Sequence, residues 1–120
     1  MSKKRITADF TNALTGSFET EVTLYSQTKH EWGFTTMAKI DTGADRSSID
    51  LRLANALRLH QIGEITVRNA MGKQKRRTVL LSLKVFGSKK IVEVTVANRR
   101  KMTTPFIIGM DLVMEDEDSE

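Results

Sequence analysis

Four stretches of this 120-residue chain alternate apolar and polar side chains with a period of two. Phe18, Thr20, Val22 and Leu24 alternate with Glu19, Glu21, Thr23 and Tyr25. The same rhythm returns at Ile65 and Val67, at Val79, Leu81, Leu83 and Val85, and at Val92, Val94 and Val96. Successive side chains of a strand point to opposite faces, so this period predicts strands with one face buried. Between them, Ala70-Met71-Gly72-Lys73 and Phe86-Gly87-Ser88-Lys89-Lys90 are short enough and rich enough in turn residues to close hairpins. One stretch departs from the pattern. From Asp50 to Leu59 the chain is rich in Ala and Leu, offers Asp50 as an N-cap, and places Leu53 and Leu57 four apart on one face, which predicts a short helix. Several short strands with one helix predict a mainly all-β domain, closed into a small barrel or stacked as a sandwich.

Within that frame, Asp41-Thr42-Gly43 stands where an apolar strand, Met37-Ala38-Lys39-Ile40, runs out into a small-residue turn at Ala44. A carboxylate at the end of a buried strand lies at the edge of low dielectric, where desolvation and a like-charged neighbour can make it hold a proton near working pH. That is the setting of acid proteolysis, in which two carboxylates share one proton. The chain contains a single such tripeptide. At this length it fits one domain and is too short for two lobes, so a second carboxylate has to come from another subunit.

A second motif reinforces the first: Pro105-Phe106-Ile107-Ile108-Gly109-Met110-Asp111-Leu112, an apolar strand broken by glycine and followed by a short helical stretch. Asp41-Thr42-Gly43-Ala44 with this downstream apolar-apolar-Gly segment resembles the paired signature of retropepsins, the single-lobe aspartic proteases of retroviruses. With Val92 to Met102 leading into Pro105, the chain is similar to the bacterial retropepsin-like family often labelled ATP-dependent zinc proteases. The likeness runs from about Phe18 to Val113. It implies a single-lobe acid-protease closed barrel and a homodimeric aspartic endopeptidase. Asp41 would be catalytic, Thr42 would brace the two active-site loops across the dimer axis, and Gly43 and Ala44 would let the backbone approach a peptide. Ile107, Ile108 and Gly109 would support that loop from behind. Asn69, Ala70, Met71, Gly72 and Lys73 would form the tip of a flap closing over substrate. In one place the chain departs from the family pattern. Retropepsins usually carry Arg after the glycine matched by Gly109, paired with the acid at the Asp45 position; here Met110 stands there, which leaves Asp45 to pair with Arg46 or another base.

Composition limits the alternatives. There is no cysteine, only His30 and His60, no His-Glu-x-x-His and no phosphate-cradling Gly-x-x-x-x-Gly-Lys, so neither a metal nor a nucleotide cofactor is expected. No apolar run is long enough to span a membrane and no secretory leader is read, so a cytoplasmic protein is expected. The residues divide into a flexible arm at 1–16, the retropepsin-like domain at 17–114 and an acidic tail at 115–120, expected to be disordered. The last six residues hold five of the fifteen acids, leaving nineteen bases against ten acids before them. Two basic clusters, Lys73-Gln74-Lys75-Arg76-Arg77 and Arg99-Arg100-Lys101, are read either as solvated strand ends or as a field that draws an acidic peptide to the cleft. The rival function is a basic β-barrel binding module. It would be a catalytically degenerate dimer or a binder of nucleic acid or of an acidic protein. Nucleic acid is not favoured, because the Lys73 to Arg77 cluster has no aromatic on which a base would stack.

Overall fold

The computed structural model describes residues 4–6, 19–29, 32–69, 72–98 and 104–116. In chain order the elements are β1 (Lys4–Ile6), β2 (Glu19–Tyr25), β3 (Gly33–Ile40), β4 (Ser48–Asp50), α1 (Leu51–Ala56), β5 (Gln61–Asn69), β6 (Gly72–Val85), β7 (Ser88–Ala97), β8 (Phe106–Ile108), α2 (Met110–Val113) and β9 (Met114–Asp116). The main sheet runs β2-β3-β8-β4-β7-β6, and β6 returns to β2 through Val22↔Val85 and Leu24↔Leu83. The sheet thus closes on itself as a six-stranded barrel, a mainly all-β fold without open edges in its wall. β5 is added to β6 outside the ring. The 14-residue β6 is longer than its barrel partners need. Its first half, from Gly72 to Arg77, pairs only with β5, so this hairpin projects beyond the barrel.

The barrel closes because alternate side chains meet inside it. Val22 and Leu24 of β2, Ala38 and Ile40 of β3, Leu81, Leu83 and Val85 of β6, and Val94 and Val96 of β7 are all buried in one core with Phe106, Ile108, Leu112 and Val113. The β6–β7 hairpin turns on two residues, Phe86 and Gly87, both at positive φ (51° and 78°) between paired Val85 and Ser88. This is the geometry whose twist matches the flanking strands.

Asp50 caps α1 as expected, its carboxylate accepting from the Arg52 N–H at 3.4 Å. The helix ends at Ala56, short of the predicted Leu59. Arg58 turns to φ 57°, its N–H donates to the Asn55 carbonyl, and the Leu59 N–H reaches back to that of Ala54. These two bonds form a Schellman ending, here with arginine where glycine is usual. β1 and β9 pair antiparallel as a separate two-stranded sheet, Lys4↔Asp116 to Ile6↔Met114, joining residues of the expected arm to the start of the expected tail. Among the described residues no helix is long and apolar enough to cross a membrane.

Candidate active site

Asp41 is the first residue beyond β3. Ile40 pairs in parallel with Ile108, and the Asp41 N–H donates to the Ile108 carbonyl at 2.9 Å. The last barrel hydrogen bond of β3 therefore fixes the backbone of the acid itself. One carboxylate oxygen, Oδ1, accepts from the Gly43 N–H at 2.9 Å, and the Ala44 N–H donates to the Asp41 carbonyl at 3.1 Å. This local turn is one that short acidic side chains favour. A Cβ on Gly43 would lie 3.2 Å from Oδ1, so the small residue leaves the carboxylate room. Thr42 and Gly43 are exposed and Asp41 is half-buried at the mouth of the barrel.

The rest of the loop is tied to the segment that follows β8. The Met110 N–H donates to the Ala44 carbonyl at 2.8 Å, and the Asp111 N–H to that of Asp45 at 3.2 Å. Ser47, fully buried, donates its N–H to both Asp111 oxygens at 3.0 Å and its hydroxyl to Oδ1 at 2.7 Å. The same hydroxyl accepts from the Gly109 N–H at 3.0 Å. A Cβ on Gly109 would meet the Arg46 carbonyl carbon at 2.6 Å and the Ala44 oxygen at 2.9 Å, so only glycine lets the two segments pack this closely. Among the described residues Asp45 forms no ion pair, and the alternative partnership with Arg46 does not occur. The brace is carried one residue further along, by Asp111 in place of an arginine at Met110. Sequence reasoning missed Ser47 and Asp111. The available signal was an acid at the start of a helix too short to need it.

The expected supporting residues divide between two jobs. Ile108 lies in the core and offers its carbonyl to Asp41, whereas Ile107 is packed outside that core and lines the cleft beside the loop. Of the expected hairpin tip, Asn69 and Gly72 are paired across its end, and Gly72 and Lys73 are exposed; Ala70 and Met71 lie outside the described residues. The basic run beside them is not one patch. Register places Arg76 opposite Ile65 and Gln74 opposite Val67, on the face turned to the cleft, while Lys75 and Arg77 share the other face with Thr66 and Glu64. Lys75 and Glu64 approach to 3.9 Å there. His60 is exposed; His30 and the Arg99-Arg100-Lys101 cluster lie outside the described residues. Among the described residues no three His, Cys, Asp or Glu side chains gather where they would hold a metal ion.

The single-lobed closed barrel, with one acid on a strand-end turn at its mouth, has the fold of retropepsin-like aspartic proteases. The aspartyl protease family matches residues 30–112, more than half the chain, and the chain belongs to that family. The fold is similar to that of EIAV protease bound to the inhibitor HBY-793. The identity is 22%, the TM-score is 0.56, and 78% of this chain and 82% of that one are covered. It is similar also to the simian foamy virus (mac) protease, at 17% identity and TM-score 0.58, covering 79% and 90% of the two chains. A retropepsin-like aspartic protease from Rickettsia conorii matches over 100% of this chain and 89% of its own, at 19% identity and TM-score 0.53. No curated protein matches the sequence.

Proposed function

We propose that this chain is one subunit of a homodimeric aspartic endopeptidase that hydrolyses peptide bonds without a cofactor. Two copies meet with their Asp41 turns facing across a twofold axis. The two carboxylates hold one proton between them, because like charges at contact distance do not both ionise. The ionised carboxylate takes a proton from a bound water as that water attacks the peptide carbonyl, and the protonated one gives its proton to the carbonyl oxygen. As the C–N bond breaks, the first passes the proton taken from water to the leaving amine and the second takes back a proton from one hydroxyl of the tetrahedral diol, which restores the shared proton. Thr42 bonds to its counterpart across the axis. Gly43 and Ala44 present backbone to the peptide, and the hairpin tip Asn69 to Lys73 closes over it as a flap.

The observation that carries this reading is the Asp41 carboxylate held at the barrel mouth with Oδ2 free of hydrogen bonds among the described residues, in a chain that supplies one such acid. The dimer draws support from two features. Thr42 is exposed beside the acid, and β1 and β9 form a sheet of only two strands, which is marginal alone and offers unpaired edges to further strands. The Ser47–Asp111 brace supports activity over a degenerate, binding-only dimer, since the loop is held without the usual arginine. Asp41→Asn should abolish cleavage of a peptide library while leaving the circular dichroism spectrum unchanged. Cleavage by that variant at the wild-type rate, or a wild-type protein that cleaves while monomeric in sedimentation, overturns the proposal.

A further inference from the structure

Beside the Asp41 turn lies a cleft of about 430 Å³ between Ala44 to Arg46 on one wall, Ile65 and Val67 of β5 on another, and Arg76, Thr95 and Ser48 at its floor and side. Its polar groups are out of balance. Among the described residues, the buried side-chain polar atoms without a hydrogen-bond partner are Ser48 Oγ, Arg76 Nε and Thr78 Oγ1. Two of the three line this cleft. The third is on the same strand and face as Arg76, in a row set by register: Ser48 opposite Thr95, Thr95 opposite Thr78. Among the described residues Arg76 has one side-chain contact, a long 3.4 Å bond from Nη2 to the Gln74 side chain, and no ion pair. Arg46, also lining the cleft, likewise has no ion pair among the described residues. One carboxylate, Asp45, lies on the same wall; it is exposed and pairs with neither guanidinium.

A buried guanidinium nitrogen without an acceptor is costly, and an orphaned hydroxyl nearby adds to that cost. Arg76 and Ser48 line the same cleft, and a planar guanidinium together with a hydroxyl is a donor set that a carboxylate satisfies. Of the remaining lining residues, Ile65, Val67 and Ile107 are apolar and suit the methylenes of a glutamate, and Thr66 and Gly43 complete the lining. We infer that this cleft is a substrate subsite for an acidic side chain, with Arg76 as its specificity-determining residue, Ser48 as a second donor and Arg46 adding charge at the rim. The inference rests on the peptidase reading for the identity of the ligand as a peptide, and on the cleft alone for its preference. It also replaces a diffuse basic field with one residue. Lys75 and Arg77, on the outer face, have no part in the preference.

The test compares peptides differing only in Glu against Gln at one position, chosen from a positional-scanning library, and reads kcat/KM together with the affinity of each labelled peptide for the Asp41→Asn protein by fluorescence anisotropy. The wild type should favour Glu by about 10- to 100-fold, the range of a charged hydrogen-bonded contact. Arg76→Gln should erase the ratio, Arg76→Lys should restore part of it, and Arg76→Glu should turn preference toward Lys. Because a ratio is read within each variant, a loss of folded protein cancels. Cleavage with no Glu preference at any position, or a preference that survives Arg76→Gln, overturns the subsite and leaves the peptidase standing. No cleavage, with a Glu preference in binding that Arg76→Gln removes, overturns the peptidase and leaves the subsite. No cleavage and no binding preference overturns both.

Discussion

The bond network of Ser47 and Asp111 predicts a stability coupling between residues 64 positions apart. Ser47 is fully buried, and Asp111 is the acceptor for both its N–H and its O–H. Asp111→Ala strands both donors. A buried donor left unmade costs about 1–3 kcal/mol. Asp111 itself is exposed, so water reaches part of the vacated space, and the loss should settle near ~2–3 kcal/mol. Ser47→Ala removes the hydroxyl and orphans the Gly109 N–H, which accounts for about 1–3 kcal/mol by the same rule. The double variant no longer contains the Oγ–Oδ1 bond to be broken twice, so it should fall short of the sum by about 1–2 kcal/mol. Urea unfolding of the four proteins at one fixed protein concentration measures this, since association would otherwise add a concentration-dependent term. Additivity to within about 0.5 kcal/mol would show that the two residues act independently and refute the brace.

Other perturbations follow from the same geometry. Gly109→Ala drives a Cβ to 2.6–2.9 Å from backbone atoms of Arg46 and Ala44, which cannot swing aside as a side chain would. It should destabilise by about 2 kcal/mol or more, and, if Asp41 is catalytic, lower kcat with the acid intact. Phe106→Ala empties the largest fully buried side chain of the core and should cost about 3–5 kcal/mol in urea unfolding. Arg58→Gly places glycine at a φ of 57° in the helix-ending turn and should raise stability by up to about 1 kcal/mol, whereas Gly87→Ala, at φ 78° with open space around it, should lower it by about 1 kcal/mol.

What was legible in the sequence follows from where local patterning and burial coincide. β2, the second half of β6 and β7 alternate in sequence because one side of each faces the core, and Val22, Leu24, Leu81, Leu83 and Val94 are buried where period two puts them. β3 is less transparent. Phe34 is 44% exposed although it pairs with fully buried Leu24, and the strand gains its inward pattern only at Ala38 and Ile40. β4 is three residues long, two of them polar and all buried, and it is a strand because β7 and β8 flank it with hydrogen bonds. No local propensity announces that. The Asp41 turn was readable because a strand end, an acid and a glycine are contiguous. The Ser47–Asp111 brace was not, because its partners meet only after the barrel closes. The run from Lys73 to Arg77 shows the same limit in another form: charge can be counted along a sequence, but which of those charges enters the cleft is decided by pleat and register.

The site is a consequence of one register. Lys39 and Ile40 pair in parallel with Ile107 and Ile108, so Asp41 and Gly109 leave the barrel side by side as the next residue of each strand. A one-residue slip in that pairing would turn Ile108 out of the core and set the Asp41 N–H against a different carbonyl. The core and the acid are therefore fixed by the same hydrogen bonds, and the apolar period that closes the barrel also aims the carboxylate. The glycine at 109 and the serine at 47 then set how far the loop stands from that frame: one removes a side chain so that backbones touch, and the other bonds to what lies across the gap. Such an arrangement separates stability from proposed chemistry. Changes at Ser47, Gly109 or Asp111 should weaken the fold and displace Asp41 together, whereas Asp41→Asn, with Oδ1 retained to accept from Gly43, should remove hydrolysis and leave the unfolding free energy within about 1 kcal/mol of wild type.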